Sequence, residues 1–531
     1  MQTWLASSLL RHYLASRPRR RRRLRLHVAR GEQASFQVGF RTEAEPLEVT
    51  VRADCDSLPV TVRRVGYVPL PHHNTETPVE ELDGIGYVPG YVPDPLFPET
   101  ALRAGPFETN AFWITVQAPS DARPGLHRVS IALTAGQEHV AGLTATIRVH
   151  RAAVEGRRGL PVTQWFYCDA LADWYRVAPF SDRFWPIVEK YLGDLAAHNV
   201  DTSHTPLFTP PTDGVKRPNQ LLGVRRRGER YVFDWALVRR WVHTAQKQGI
   251  RYFEWPHFFT QWGAERPARI YEGRGEDERL LWNSETPAAS PAYRGFLSQL
   301  LPEFKRFLEE EHILDHSFFH ISDEPHGESG IANYRGAREL VRELAPWMKV
   351  MDALSDIRFA REDLTDFPIA ILSAAADFLR EGHPTWVYFW SGPRGRYAQR
   401  LLDTPLVKTR MLGWLLYRLK ANGLLHWGYN YWYRSQTREL IDPYEVNDAH
   451  SWPDWAYGDP FVVYPGDDGP VDSLRWEVFA ESLQDYALLQ AAGVEPDDAA
   501  LSGVKGFAEF PRSESWIRRR RAELLATLDE R

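Results

Sequence analysis

Two rhythms of apolar and polar positions divide the chain. Up to about residue 152 the apolar residues come in short alternating runs, among them "RLHVARGEQASFQVGFRT", "LEVTVRAD", "PVTVRRVGYVPL", "NAFWITVQAP", "GLHRVSIALTA" and "GLTATIRVHR". Alternation with a period of two, punctuated by Gly, Pro, Asp and Asn, predicts strands, and a succession of them predicts an all-β sandwich over residues 1–152. "GYVPGYVPDPLFPET" at 86–100 breaks the pattern and reads as a long ordered loop lying against whatever follows.

From about residue 155 strand-like runs alternate with helical spacing. "GLPVTQWFYCDA" precedes the amphipathic "DRFWPIVEKYLGDLAAHN", and "AYRGFLSQLLPEFKRFLEEE" precedes the strand "HSFFHISDEP". Strands are predicted near 161, 200, 251, 317, 349, 369, 385 and 424; a helix is read after the first four, the seventh and the eighth, only a short helical link after the sixth, and none after the fifth. Repeated βα units in this number predict a (β/α)8 TIM-like barrel over 153–495, so the fold class is α/β with an N-terminal sandwich. "GDPFVVYPGDDG" is left over as a strand-like insert in the last loop, and 496–531 reads as a charged helical extension packed on the barrel. An open doubly wound sheet is the other arrangement of such units, but no Gly-rich phosphate fingerprint follows any strand.

Composition narrows the function. Of 531 residues 43% are apolar, enough for an extensive core, and 64 Lys+Arg against 70 Asp+Glu give a net charge of -6, which argues against a nucleic-acid binder. The basic "RPRRRRRLR" at 17–25 reads as a solvated edge before a strand. Cys55 and Cys168 stand in unlike contexts and predict two buried free thiols. No apolar run reaches ~18 residues, so no membrane span is expected. In the opening "MQTWLASSLLRHYLASRPRR" the arginines follow the apolar stretch, unlike a signal peptide, which makes the cytoplasm the default location. The 20 Trp and 22 Tyr suit a saccharide cleft, since sugar C–H faces stack on aromatic rings.

The sharpest chemical feature is "FFHISDEPHG" at 318–327, where an apolar strand ends in Asp323 and Glu324. Barrel active sites lie at the C-terminal ends of strands. Glu324, flanked by aromatic residues and a second acid, suits a general acid; the competing role is a helix N-terminal cap. A two-carboxylate glycosidase needs a second acid on another strand. The seventh strand, "TWVYFWSG", has none, which leaves Glu254, Asp352 or Asp356 as partner, or a nucleophile supplied by the substrate. A sugar's 2-acetamido group is such a nucleophile, and adjoining acids then divide the work: Asp323 orients the amide and Glu324 protonates the leaving oxygen.

Taken in order, "GEQASFQV", "VPDPLFP", "FFHISDEP", "GLLHWGYNYW" and "VVYPGDDGPVDSLRWEVFAESLQDYALL" resemble glycoside hydrolase family 123, the β-N-acetylgalactosaminidases and their relatives, over about residues 4–490. The resemblance implies a β-sandwich followed by a (β/α)8 barrel, retaining substrate-assisted hydrolysis, Asp323 as the oxazoline-stabilising acid, Glu324 as the general acid/base, and no metal or organic cofactor. It implies a glycan or glycoconjugate as partner.

Strand-end positions add Trp165, His204, Glu254, Trp255, His257, Tyr388, Trp390, Trp427, Tyr429, Tyr431 and Trp432 as candidate cleft residues. In "HWGYNYW" alternation sends His426, Gly428 and Asn430 to one face and Trp427, Tyr429 and Tyr431 to the other, near the mouth. His204, His257 and His320 mimic a metal triad without any fixed ligand spacing. A two-carboxylate enzyme for a neutral sugar and a non-catalytic saccharide binder are the alternatives.

Overall fold

The computed structural model describes residues 1–136, 138–210 and 217–530. The N-terminal strands form two facing sheets. One has seven strands in the order Gln2–Ser7, Gln33–Arg41, Thr109–Gln117, Val60–Leu70, Gly90–Phe97, Gly469–Ser473 and Tyr464–Gly466. The other has five, in the order Arg23–Arg30, Glu138–Ala153, Gly125–Ala135, Leu47–Asp54 and Ala101–Ala104. Alternation decides what each face meets. Phe112, Ile114 and Val116 point into the core between the sheets, whereas Ala111 and Trp113 pack on Leu474 and Val478 of the helix Leu474–Ala491. A strand covered on both faces reads as a nearly continuous apolar run, as "NAFWITV" does.

Two expectations are corrected. Within 86–100, Gly90–Phe97 is a strand and not a loop, paired with Val60–Leu70 through Val68↔Val92 and Leu70↔Gly90. Its prolines are tolerated because its other neighbour, Gly469–Ser473, pairs with it only at Leu96 and Pro95. The strand does lie against the following region: Asp94 forms a buried fork with Arg475 at 2.9–3.1 Å. The strand-like insert after the eighth barrel strand is the hairpin Tyr464–Gly466/Gly469–Ser473, which leaves the barrel to complete the seven-stranded sheet.

Eight parallel strands follow: Val162–Gln164, Thr202–His204, Tyr252–Glu254, Ser317–Phe318, Met351–Leu354, Phe367–Ile371, Trp386–Tyr388 and Gly423–His426, called first to eighth below. They pair in chain order, and the eighth returns to the first through Val162↔Leu424. Between fourth and fifth the ladder shrinks to one parallel bridge, Phe319↔Val350, so the barrel is nearly closed. Full-length helices Trp185–Ala197, Ala236–Lys247, Pro291–Glu310 and Gly327–Leu344 follow the first four strands; Arg358–Arg361 and Ala375–Arg380 after the fifth and sixth are short.

The helix Glu514–Glu530 sits against both regions. Arg521 pairs with Glu32 at 2.8 Å and with Asp485, while Leu525 packs on Ala29, Val154 and Leu488. Arg19 to Arg23 are exposed, and Arg23–Arg30 is an edge strand. Cys55 and Cys168 are free thiols; Cys168 is buried as expected, whereas Cys55, just past the end of the strand Leu47–Asp54, is only partly so. No helix among the described residues is long and apolar enough to cross a membrane.

Candidate active site

Side-chain alternation builds the barrel interior in layers. Tyr252, Phe318 and Trp386 form an aromatic base: Phe318 lies 4.9 Å from Trp386 and 5.9 Å from Tyr252. Two residues further along, Glu254, His320 and Tyr388 point the same way, toward the C-terminal mouth.

The middle layer is a buried charged network. His320 places Nε2 2.8 Å from Glu254 Oε1 and Nδ1 3.0 Å from Asp352 Oδ1. Glu254 also accepts from the Thr163 hydroxyl and, at 2.8 Å, from the Trp165 indole. Asp352 accepts from the Tyr334 phenol at 2.6 Å and from the Ile321 amide at 3.0 Å. Burial opposes a charge on His320, but hydrogen bonds to Asp352 and Glu254 outweigh it and push the ring up to about 10. Burial raises Asp352, whereas the bond from His320 and the neighbouring His204 hold Glu254 below the usual carboxylate range against its own burial.

His257, His320 and Asp352 bring possible ligand atoms within 4.8 Å of one another. They do not fit a metal, because the doubly hydrogen-bonded imidazolium of His320 has no lone pair to give. His204, stacked on Trp165 at 5.3 Å, is pushed down to about 4 by burial, and burial also holds His257 neutral. Asp194, His198 and Asp472 form a second compact group, where the helix Trp185–Ala197 meets the returning hairpin.

At the mouth the two acids diverge. Asp323 is nearly buried and accepts from Gln261 Nε2 at 3.1 Å, on the loop after the third strand. Glu324 is partly exposed, and its Oε1 accepts from the Tyr388 phenol at 2.6 Å, from the seventh strand. Its φ of 43° lies in the left-handed region, which costs a residue with a Cβ roughly 1 kcal/mol. The strand itself stops at Phe318, short of the acids it was expected to carry at its tip, and the turn at Glu324 in the loop beyond it sends the two neighbouring side chains to different partners. Burial, then the charge on Glu324, pushes the Tyr388 phenol well above 10, so it stays a donor. Neither acid occupies the N-cap position of the next helix. The following helix, Gly327–Leu344, has His326 at its N-cap, without a side-chain cap bond, and Glu328 in its first turn.

The other candidates separate. Trp165 and Tyr388 line the interior, and Trp390, two residues beyond Tyr388, is half-buried. Trp427 and Tyr431 meet 5.6 Å apart in a cluster with Trp455, where Trp427 donates to Asp459 at 2.9 Å. Three expectations are corrected. Trp255 points outward onto Phe304 at 4.9 Å, as alternation with Glu254 requires. Tyr429 points into the helix layer and donates to Asp194 at 2.5 Å. Trp432 is buried beside Tyr191 and donates to the Val463 carbonyl at 3.1 Å. The strand stops at His426, so alternation does not extend through "WGYNYW". Asn430 instead clamps the Tyr167 backbone, and His204, though inward, lies beneath Trp165 and is fully buried.

Sequence reasoning missed the loop around Asp323. The Ser322 hydroxyl donates to the Thr260 carbonyl at 2.7 Å and accepts from the Gly263 and Ala264 amides, and the Trp262 amide donates to the Asp323 carbonyl at 2.7 Å. No period or motif in "FFTQWGAERP" marks this; the exposed Trp beside a Gly is its only signal.

A nearly closed parallel barrel delivering adjoining acids to its C-terminal rim is a frame on which enzymes hydrolyse glycosidic bonds. Residues 165–492 match the family model described as "Glycoside hydrolase 123, catalytic domain". The chain belongs to glycoside hydrolase family 123 and is a glycosidase. A family 123 glycoside hydrolase from Clostridium perfringens, solved to detail glycolipid glycan hydrolysis, has the same fold. It superposes with a TM-score of 0.73 at 14% identity, over 99% of this chain and 97% of that one. A family 39 glycoside hydrolase from Bacteroides cellulosilyticus gives 0.35 at 9% identity, over 82% and 80% of the two chains. The Bacteroides ovatus family 5 xyloglucanase gives 0.31 at 9%, over 87% and 98%. No curated protein matches the chain by sequence.

Proposed function

We propose that the enzyme hydrolyses β-linked N-acetylhexosaminides, N-acetylgalactosamine foremost, with retention and with the substrate's acetamido group as nucleophile. The carbonyl oxygen of that group attacks the anomeric carbon as the glycosidic C–O bond breaks, and Glu324 gives its proton to the departing oxygen. Asp323 accepts the amide N–H, aligning the carbonyl and offsetting the positive charge of the oxazolinium. Glu324, now a carboxylate, takes a proton from the water that opens the ring, which restores the β-anomer and the starting protonation state.

The observation that carries this reading is the divergence of the two neighbouring acids, Asp323 toward Gln261 and Glu324 toward Tyr388. The candidate partners for a two-carboxylate mechanism support it by default: Glu254 and Asp352 are fully buried and committed to His320, Trp165 and Tyr334. Asp356 is bound to Arg358. The glycolipid glycans named for the Clostridium relative are the first natural substrates to try.

The test uses aryl β-glycosides with and without the 2-acetamido group. Wild type should cleave the N-acetyl compounds alone and be inhibited by a thiazoline mimic of the oxazoline. Glu324→Gln and Asp323→Asn should each lower kcat roughly 100- to 10,000-fold with the fold intact. Equal turnover of the unsubstituted galactoside, with no thiazoline inhibition, would instead establish the two-carboxylate route.

A further inference from the structure

We propose that Trp262 is the stacking platform for the sugar on the leaving-group side of the bond, a reading that rests on the hydrolysis proposed above. Among the described residues it is the most exposed tryptophan, at 49%, while the others are buried or half-buried. Among the described residues its indole has no ring-contact or hydrogen-bond partner. An aromatic surface of that size left open to water at a barrel mouth is what a pyranose C–H face covers.

The exposure does not come from a slack loop. Trp262 has a φ of 62°, a left-handed conformation that bulky residues rarely adopt, so its surroundings impose it. The bonds that impose it run to the acid pair. The Trp262 amide donates to the Asp323 carbonyl at 2.7 Å, and the preceding Gln261 donates to the Asp323 carboxylate at 3.1 Å. Ser322, the residue before Asp323, fastens both sides of the turn through Thr260, Gly263 and Ala264. Gly263 has a φ of 146°, and a Cβ there would stand 3.1 Å from the Cα of Gly330, so the turn is seated directly on the helix after the fourth strand. The backbone that carries the open indole is thereby fixed one hydrogen bond from Asp323.

The position selects the occupant. On the hydrolysis proposed above, the sugar whose bond breaks is held between Asp323 and the Glu324–Tyr388 pair. The chain attached to its anomeric oxygen then has to leave over the rim, where Trp262 is exposed. The ligand class is therefore a saccharide bearing at least one pyranose beyond the cleaved bond.

The experiment compares two substrates with the same non-reducing N-acetylgalactosamine: its β-fluoride, whose leaving group is one atom, and a β-linked oligosaccharide. Trp262→Ala should lose about tenfold more kcat/KM on the oligosaccharide than on the fluoride, mainly through KM, and Trp262→Phe should recover most of it. Equal losses on both substrates, or none on either, would overturn the platform while leaving the hydrolysis intact. Failure of wild type to cleave either substrate would remove the underlying reading, and this one with it.

Discussion

The phenol of Tyr388 donates a 2.6 Å hydrogen bond to Oε1 of Glu324, joining the end of the seventh strand to the loop after the fourth across the barrel mouth. The seventh strand, which carries no acid at its tip, thus supplies a donor to the acid in the loop after the fourth. A donor to a carboxylate favours its charged form, so its loss makes Glu324 hold a proton to higher pH. Tyr388→Phe should move the alkaline limb of the kcat/KM profile upward and lower kcat/KM by roughly 10- to 100-fold. A pH-rate series of wild type and variant checks both; an unmoved alkaline limb would detach Tyr388 from the acid.

His320 links stability to pH. Its folded pKa of about 10 stands above the ordinary histidine value of 6.5, so the folded state binds the proton more tightly than the unfolded state. The stabilisation is complete below pH 6.5 and is lost as pH rises toward 10. Urea midpoints should therefore fall across that window in wild type and fall less steeply in His320→Gln, which should be less stable at pH 6.

Tyr429 separates packing from recognition. Its hydroxyl reaches Asp194 in the helix layer, outside the barrel interior. Tyr429→Phe should cost about 1–2 kcal/mol in denaturant unfolding while kcat/KM stays within about twofold of wild type. A large rise in KM would return this residue to the cleft.

The fork between Arg475 and Asp94 crosses from barrel helix to sandwich strand with both side chains fully buried. Arg475→Met strands the Asp94 charge and should destabilise by about 3–5 kcal/mol. Asp94→Leu combined with Arg475→Met should recover part of that loss, measured by the same unfolding curves.

The barrel strands were legible because each is a short β-branched or aromatic run between helical stretches, a contrast of periods that survives tertiary context. The strand at 90–97 was hidden by Pro93 and Pro95, which suit a strand only where the neighbouring ladder is short, and that neighbour lies far off in the chain. Inside the barrel, parity served wherever a strand persists: it puts Tyr388 and Glu254 inward and Trp255 outward. It failed for Tyr429 and Trp432 because the strand stops at His426 and the backbone bends around Asn430. His320 resembled a metal ligand in the sequence; only the folded chain shows Glu254 and Asp352 occupying both its nitrogens. The loop bearing Gln261 and Trp262 was illegible because its shape comes from bonds to Ser322 and Asp323, not from any local preference.

The returning hairpin sets an order of events during synthesis. Leu96 takes its second strand neighbour from Asp472, so on the ribosome the seven-stranded sheet waits with Gly90–Phe97 as a bare edge until almost the whole chain has emerged. A nascent chain stalled between those points offers that edge to any other strand, and chaperone capture or intermolecular pairing competes there with correct completion.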